Sequence, residues 1–168
     1  MHHNCQQPKT EVIEMTVKTK HFGEIEINQE KVINFKEGIP GFEEHKQYLL
    51  ITDEEDSTSP FSWLQSLEDG DTAFVLINPF SFMPDYAPNI DEDYLKTLGE
   101  IREGSYLIYA IVVIPQDITA MTANLKAPII INIETQKAMQ AICQNEEYQI
   151  KHSIYAEFEK SQLKKAGE

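Results

Sequence analysis

Cysteine is scarce: the 168 residues contain only Cys5 and Cys143, far apart and in no C-x-x-C pair. A chain of this length builds a core without covalent staples, so no disulfide framework is needed and a reducing compartment, the cytoplasm, is expected. Long apolar runs are missing too, and nothing approaches the ~20 residues that span a bilayer. No basic segment followed by an apolar stretch opens the chain, so no secretory signal is expected. Basic residues are few: 14 Lys and Arg stand against 28 Asp and Glu, a formal net charge of −14. Such a surface repels phosphate backbones and anionic lipid, which argues against direct nucleic-acid or membrane binding. It steers basic partners into encounter, although acidic surplus also serves plain solubility.

Catalytic signatures are absent as well. The sequence holds no phosphate-binding G-x-x-x-x-G-K-[ST] loop, no G-x-G-x-x-G, no H-E-x-x-H and no G-x-S-x-G. No catalytic residue, cofactor or metal site is therefore assigned. Histidines at 2, 3, 21, 45 and 152 show no ligand spacing beyond the terminal pair. His3 stands where a free amino terminus could join it in chelating Cu(II) or Ni(II), but terminal histidines are commonly incidental. The run Asp53-Glu54-Glu55-Asp56 lacks apolar cover and reads as a solvated loop.

What is present is short-period alternation. Val17, Thr19 and His21, then Ile25 and Ile27, fall on every second position around Phe22-Gly23, as in a strand pair with a tight connection. Val32, Ile33 and Phe35, Tyr48 to Ile51, Ala73 to Ile77, Tyr106 to Ile114 and Ile129 to Ile131 read as further strands. The cluster Phe61, Trp63, Leu64 and Leu67 leaves helix and strand open, and Trp63 and Phe61 read as core. Gln136 to Ile142 reads as a last strand, with Ala138, Met139 and Ala141 compatible with helix. Asp91 to Gly99 is the clearest helix, with Ile90, Tyr94, Leu95 and Leu98 on one face, acidic residues in its first turn and Gly99 as its cap. Ser153 is placed to cap a final helix carrying Ile154 and Phe158 on one side and Lys160, Lys164 and Lys165 near its end. Cys143, in an apolar run, reads as a small core residue.

The expected architecture is mainly β: a small antiparallel β-barrel-like domain with one or two short peripheral helices. Residues 1–14 are expected to form a flexible N-terminal tail, 15–155 the barrel domain and 156–168 a C-terminal helix or tail. A monomer is expected.

Two segments stand out as surface candidates. In Gly38-Ile39-Pro40-Gly41-Phe42-Glu43 the glycines supply positive φ, proline fixes φ, and the apolar residues dock the turn. In Thr122 to Ile129, Asn124 is expected to tie a turn with its side chain just before a strand. Each has a structural reading and a partner-facing one. As partner contacts the candidates are Ile39, Phe42, Glu43, Glu44, Asn124, Leu125 and Lys126.

The ordered strings Phe35-Lys-Glu-Gly-Ile-Pro-Gly-Phe-Glu43, Pro60-Phe-Ser-Trp-Leu-Gln-Ser66, Asn78-Pro79 with Pro84-Asp85-Tyr86, and Thr122-Ala-Asn-Leu-Lys-Ala-Pro-Ile129 with Ile131-Asn132 together resemble the flagellar assembly factor family FliW. Asn145, Tyr148 and His152 also fit; Gln136 to Ile142 departs from the more aliphatic, Arg-containing run typical of the family. The resemblance covers about Val17 to His152. It implies a compact β-barrel-like fold without known catalytic activity. It also implies two competing protein partners, flagellin and the dimeric RNA-binding translational regulator CsrA. The free factor would capture CsrA away from its RNA-contacting surface and relieve repression of flagellin synthesis. A competing class, a small-molecule-binding or hydrolytic β-barrel using the acidic loop with His45 or His152, requires a closed pocket with convergent polar groups.

Overall fold

The computed structural model describes residues 15–52, 55–56 and 58–159. The tail with His3 and Cys5, the acidic residues Asp53 and Glu54, and Lys160, Lys164 and Lys165 lie outside them.

Strands β1 (Met15–Thr19) and β2 (Gly23–Ile27) pair antiparallel as the expected hairpin. β3 (Ile33–Phe35), β4 (Gln47–Thr52), β5 (Phe61–Ser66) and β6 (Ala73–Ile77) follow as an antiparallel meander. After an excursion carrying the helix α1 (Glu92–Lys96) come β7 (Tyr106–Val113), β8 (Thr122–Ala123), β9 (Ile129–Asn132), β10 (Lys137–Gln140) and β11 (His152–Ser153). A last helix, α2, occupies residues 155–159.

Seven strands close on themselves in the order β7-β6-β5-β4-β3-β10-β9, with β9 returning to β7. β7 makes this possible by its length. Val75 to Ile77 of β6 pair with Ala110 to Val112, while β9 pairs with Tyr106 to Tyr109 and β8 with Val112 and Val113. One junction departs from the antiparallel expectation. β10 runs parallel to β3, with Lys137 opposite Asn34 and Ala138 opposite Phe35.

The register decides which side chains point inward. Tyr48, Leu50, Leu64, Phe74, Leu76, Leu107, Tyr109, Ile111, Ile129, Ile131 and Ala138 fall on one face of their strands and pack together with Ile33, Phe35 and Ile39. These side chains fill the barrel. Tyr48 is fully buried, and its burial, with the charge of Glu68 nearby, pushes the phenol up to about 12. The alternation that left Phe61 to Leu67 undecided resolves as strand β5. Buried Ser62 and Ser66 share the inner face with Leu64, which hides the apolar period from a sequence reading.

The outer faces of β7 and β9 carry a second layer. Ile130 meets Ile90, Leu98, Ala141 and Cys143, so the cysteine is the small core residue expected. Ala110 and Val112 meet Tyr86, Ala123, Leu125 and Ile154. α1 is shorter than the sequence pattern promised, with Asp91 Oδ1 accepting from the Asp93 amide at its start. Leu98 therefore enters the core from the turn beyond the helix, and Tyr94 stays 64% exposed instead of joining that face. The buried amide of Asn132 donates to the Leu98 carbonyl at 2.9 Å, and Thr135 Oγ1 donates to the same oxygen at 2.6 Å. Ser153 lies in β11 opposite Thr122, not at a helix cap; α2 begins after the buried Ile154, whose carbonyl accepts from Phe158 N.

The β1–β2 hairpin forms its own sheet and touches the barrel through its tip. His21 and Phe22 lie against Trp63 with ring centroids 5.5 and 5.4 Å away, and Lys20 N donates to Gly70 O at 3.0 Å. Trp63 is half-buried in this seam, outside the barrel core.

Candidate functional site

The turn after β3 is built on two glycines in the left-handed region, Gly38 at φ +68° and Gly41 at φ +89°. Gly38 N donates to Phe35 O, Phe42 N to Ile39 O and His45 N to Phe42 O, which folds the segment back on itself. Ile39 is buried beside Phe35 and Ile129 and anchors the turn from beneath. It is not a surface contact. Phe42 remains 39% exposed, resting edge-on against Phe74 at 5.0 Å. Glu43 and Glu44 are exposed beside it.

Glu43 Oε1 accepts from the Gly41 amide at 3.0 Å. That bond, together with Glu43's own amide, holds its carboxyl below the ordinary 4.5. A depressed folded value contributes stability above the unfolded value and loses it as pH falls through the folded one. The Glu43→Gln variant is thus expected to be less stable than the parent at pH 7. The gap should close as pH drops below about 4.5. Urea unfolding at stepped pH checks this; a gap that does not narrow as pH falls from about 7 into the acid range means the carboxylate is not its source.

The second candidate segment forms a kink between β8 and β9. Asn124 Oδ1 accepts from Ala127 N at 3.0 Å, the turn-tying bond its residue type predicted. Leu125 is fully buried, and its carbonyl accepts from the Tyr86 hydroxyl at 2.7 Å. Like Ile39, it is core and not contact surface. The amides of Leu125 and Lys126 both donate to Gln149 O, and Lys126 Nζ donates to Asn145 O at 2.6 Å. Asn124 and Lys126 are half-buried.

Those bonds draw in two further segments that were not named as contacts. Asn145 Oδ1 accepts from Asn89 N at 2.6 Å, its Nδ2 donates to Ala87 O and to Glu147 Oε1, and Tyr148 Oη accepts from Ala87 N at 2.9 Å. Tyr86 and Tyr148 pack with ring centroids 4.7 Å apart. Between the two segments opens a cleft of about 480 Å³, walled by Met83, Asp85 and Ala87 on one side. Asn145, Glu147, Tyr148 and His152 wall the other. The Glu147 carboxyl is held below its ordinary range by its own amide and by Asn145 Nδ2. His152 stacks on Phe82 and meets Glu157 Oε1 at 3.1 Å.

Among the described residues, the closed pocket that a small-molecule-binding or hydrolytic barrel requires does not open inside the barrel. The barrel interior is occupied by side chains. His45 Nδ1 lies 2.9 Å from Ser66 Oγ, but that hydroxyl is buried and already accepts from the Glu68 and Asp69 amides. Asp69 is engaged by Asp71 N and Thr72 Oγ1. The three side chains therefore cap one turn. Among the described residues no group of three or more His, Cys, Asp or Glu could hold a metal ion, and no helix is long and apolar enough to cross a membrane.

Sequence strings, closed barrel and tethered loops meet in one comparison. A family profile described as FliW protein matches residues 16–154. The chain belongs to the FliW family. A flagellar assembly factor FliW from Alkaliphilus metalliredigens is 46% identical over 148 residues, covering 88% of this chain and 91% of that protein. Another, from Caldanaerobacter subterraneus subsp. tengcongensis, is 52% identical over 143 residues, covering 85% and 95%. A crystal structure of a flagellar assembly factor FliW superposes with a TM-score of 0.76 at 37% identity, covering 84% of this chain and 97% of that one. FliW membership accounts for the motif order, because the matched strings supply the turn at Gly38, strand β5, the Tyr86 anchor and the kink at Asn124. Asp85, Asn145, Tyr148 and His152 were visible in the sequence as fits to the FliW pattern. Glu147 carried no signal at all.

Proposed function

We propose that this chain acts in the cytoplasm as a flagellar assembly factor that works by holding proteins. It binds flagellin, and when freed of flagellin it captures the translational regulator CsrA away from its RNA-contacting surface, relieving repression of flagellin synthesis. The observation that carries this reading is the family match across residues 16–154, together with relatives named as flagellar assembly factors over almost their whole length. Phe42, Glu43, Glu44, Asn124 and Lys126 are the contacts offered to partners. Ile39 and Leu125 hold the two loops in place from inside. The net charge of −14 suits a basic RNA-binding partner and acts mainly on encounter rate and orientation.

The direct test mixes the purified chain with flagellin and CsrA from the same organism, singly and together. Each partner alone should be retained, and flagellin should displace CsrA. Retention of neither overturns the reading. Steering by charge adds a second expected result: the CsrA association rate should fall about tenfold or more as sodium chloride rises from roughly 0.05 to 0.5 M. Stopped-flow mixing measures it, and a rate indifferent to salt removes the electrostatic part.

A further inference from the structure

The cleft between Met83–Ala87 and Asn145–His152 is acidic on balance. Asp85 and Glu147 bring two exposed carboxylates to it. The ammonium of Lys126, held by the Asn145 carbonyl at 2.6 Å, offsets one of the two charges through its attraction to Glu147, and His152 is engaged by Glu157, so the cleft keeps a net negative charge. The amide nitrogen of Asn145 is spent on Ala87 O and on Glu147 Oε1, which ties the Glu147 carboxylate to the cleft wall. The remaining walls are a tyrosine ring, a thioether and the methyl of Ala87. Carboxylates beside an aromatic face and an apolar stem are the surroundings that favour a planar cation. A volume of about 480 Å³ admits one long side chain with room to spare. The frame is also rigid, because Tyr148, Asn145 and Gln144 all bond to the backbone of 87–89.

We propose that this cleft receives an arginine side chain presented by a protein partner, with the guanidinium between Asp85 and Glu147, its face against Tyr148 and its methylenes along Met83 and Ala87. Arginine suits the site better than lysine, since its fork reaches two separated carboxylates and its flat face stacks on a ring. This rests on the protein-binding reading above and names a contact within it that neither candidate loop supplies.

The test needs no partner. The full-length chain, ¹⁵N-labelled, is titrated with N-acetyl-arginine-N-methylamide and followed by amide chemical shifts. Saturable shifts at Ala87, Asn89 and the Asn145 side chain are expected. They should be about tenfold weaker with the citrulline analogue, which keeps shape and loses charge. Asp85→Asn and Glu147→Gln together should weaken the arginine response about tenfold while the rest of the spectrum stays in place. Asp85→Asn alone serves if the double variant folds poorly. Equal responses to arginine and citrulline, shifts centred elsewhere, or indifference to the carboxylate changes each overturn the proposal. A failed titration beside successful flagellin and CsrA capture removes the cleft alone, whereas a successful titration beside failed capture removes the partner reading.

Discussion

Replacing Gly38 by alanine is expected to cost about 2–4 kcal/mol of folding stability, and the same change at Gly41 about 1 kcal/mol. Both residues sit in the left-handed region, where an L side chain is strained by roughly 1–2 kcal/mol. They differ in what a methyl group would meet. At Gly41 nothing lies within 4 Å, whereas at Gly38 the new carbon would stand 2.7 Å from the Glu43 α-carbon and 2.9 Å from its carbonyl oxygen. Those are backbone atoms of the same tight turn, so relief requires the turn itself to open. Opening it would carry Phe42 and Glu43 off the barrel and loosen Ile39 within the core. Urea unfolding of the two variants reads the difference as a shift in midpoint at constant slope. Equal midpoints would mean that the close return of the chain over Gly38 is not what stabilises the turn.

Leu125→Ala carries the other large effect, a loss of about 2–5 kcal/mol. The side chain is 0% accessible and packs among Ile77, Tyr86, Ala110 and Ile154. Removing it leaves a void beneath the segment that holds Lys126 and, through Tyr86, the wall of the cleft. Ile142→Ala is the fitting control, since that side chain is 75% exposed and its loss should change stability by no more than about 0.5 kcal/mol. Thermal or urea unfolding separates the two. If Leu125→Ala unfolds with the parent, the buried role is wrong. Any loss of partner capture by this variant should track its folded fraction rather than a missing contact.

That distinction marks where sequence reading stops. Tyr48 to Ile51, Ala73 to Ile77 and Ile129 to Ile131 declare themselves as strands because each alternates or runs apolar between turn residues, and the structure places strands there. Closure is a different matter. The pairing of β3 with β10 joins Phe35 to Ala138 across about a hundred residues, and nothing local in either strand encodes it. Buried Ser62, Gln65 and Ser66 break the apolar pattern of β5, and the fold supplies partners for the Ser66 hydroxyl and the Gln65 amide nitrogen, while Gln65 Oε1 has none among the described residues. Gln65 Nε2, for example, donates to the carbonyls of Ser66, Gly70 and Thr72. Helical periodicity puts Tyr94 on a buried face only if the helix continues to Leu98, and it ends at Lys96. Within the surface candidates the residue types were informative and their depth was not. Ile39 and Leu125 belong to rigid loops as expected, yet large aliphatic side chains in such loops are what pin them down, and that pinning buries them. The cleft escaped notice for a plainer reason: its two walls lie about sixty residues apart.

The return of β9 to β7 has a consequence for how the molecule behaves in company. Within the closed ring of seven strands each strand has a neighbour on both sides, so among the described residues free strand edges are confined to the β1–β2 hairpin and to β11. The barrel itself thus offers no long edge to an extended chain, even though Val113, Ile114 and Ile118 stand open to water at the far end of β7. Contact with the barrel wall goes through side chains, whereas among the described strands backbone pairing is open only at the small hairpin and at β11.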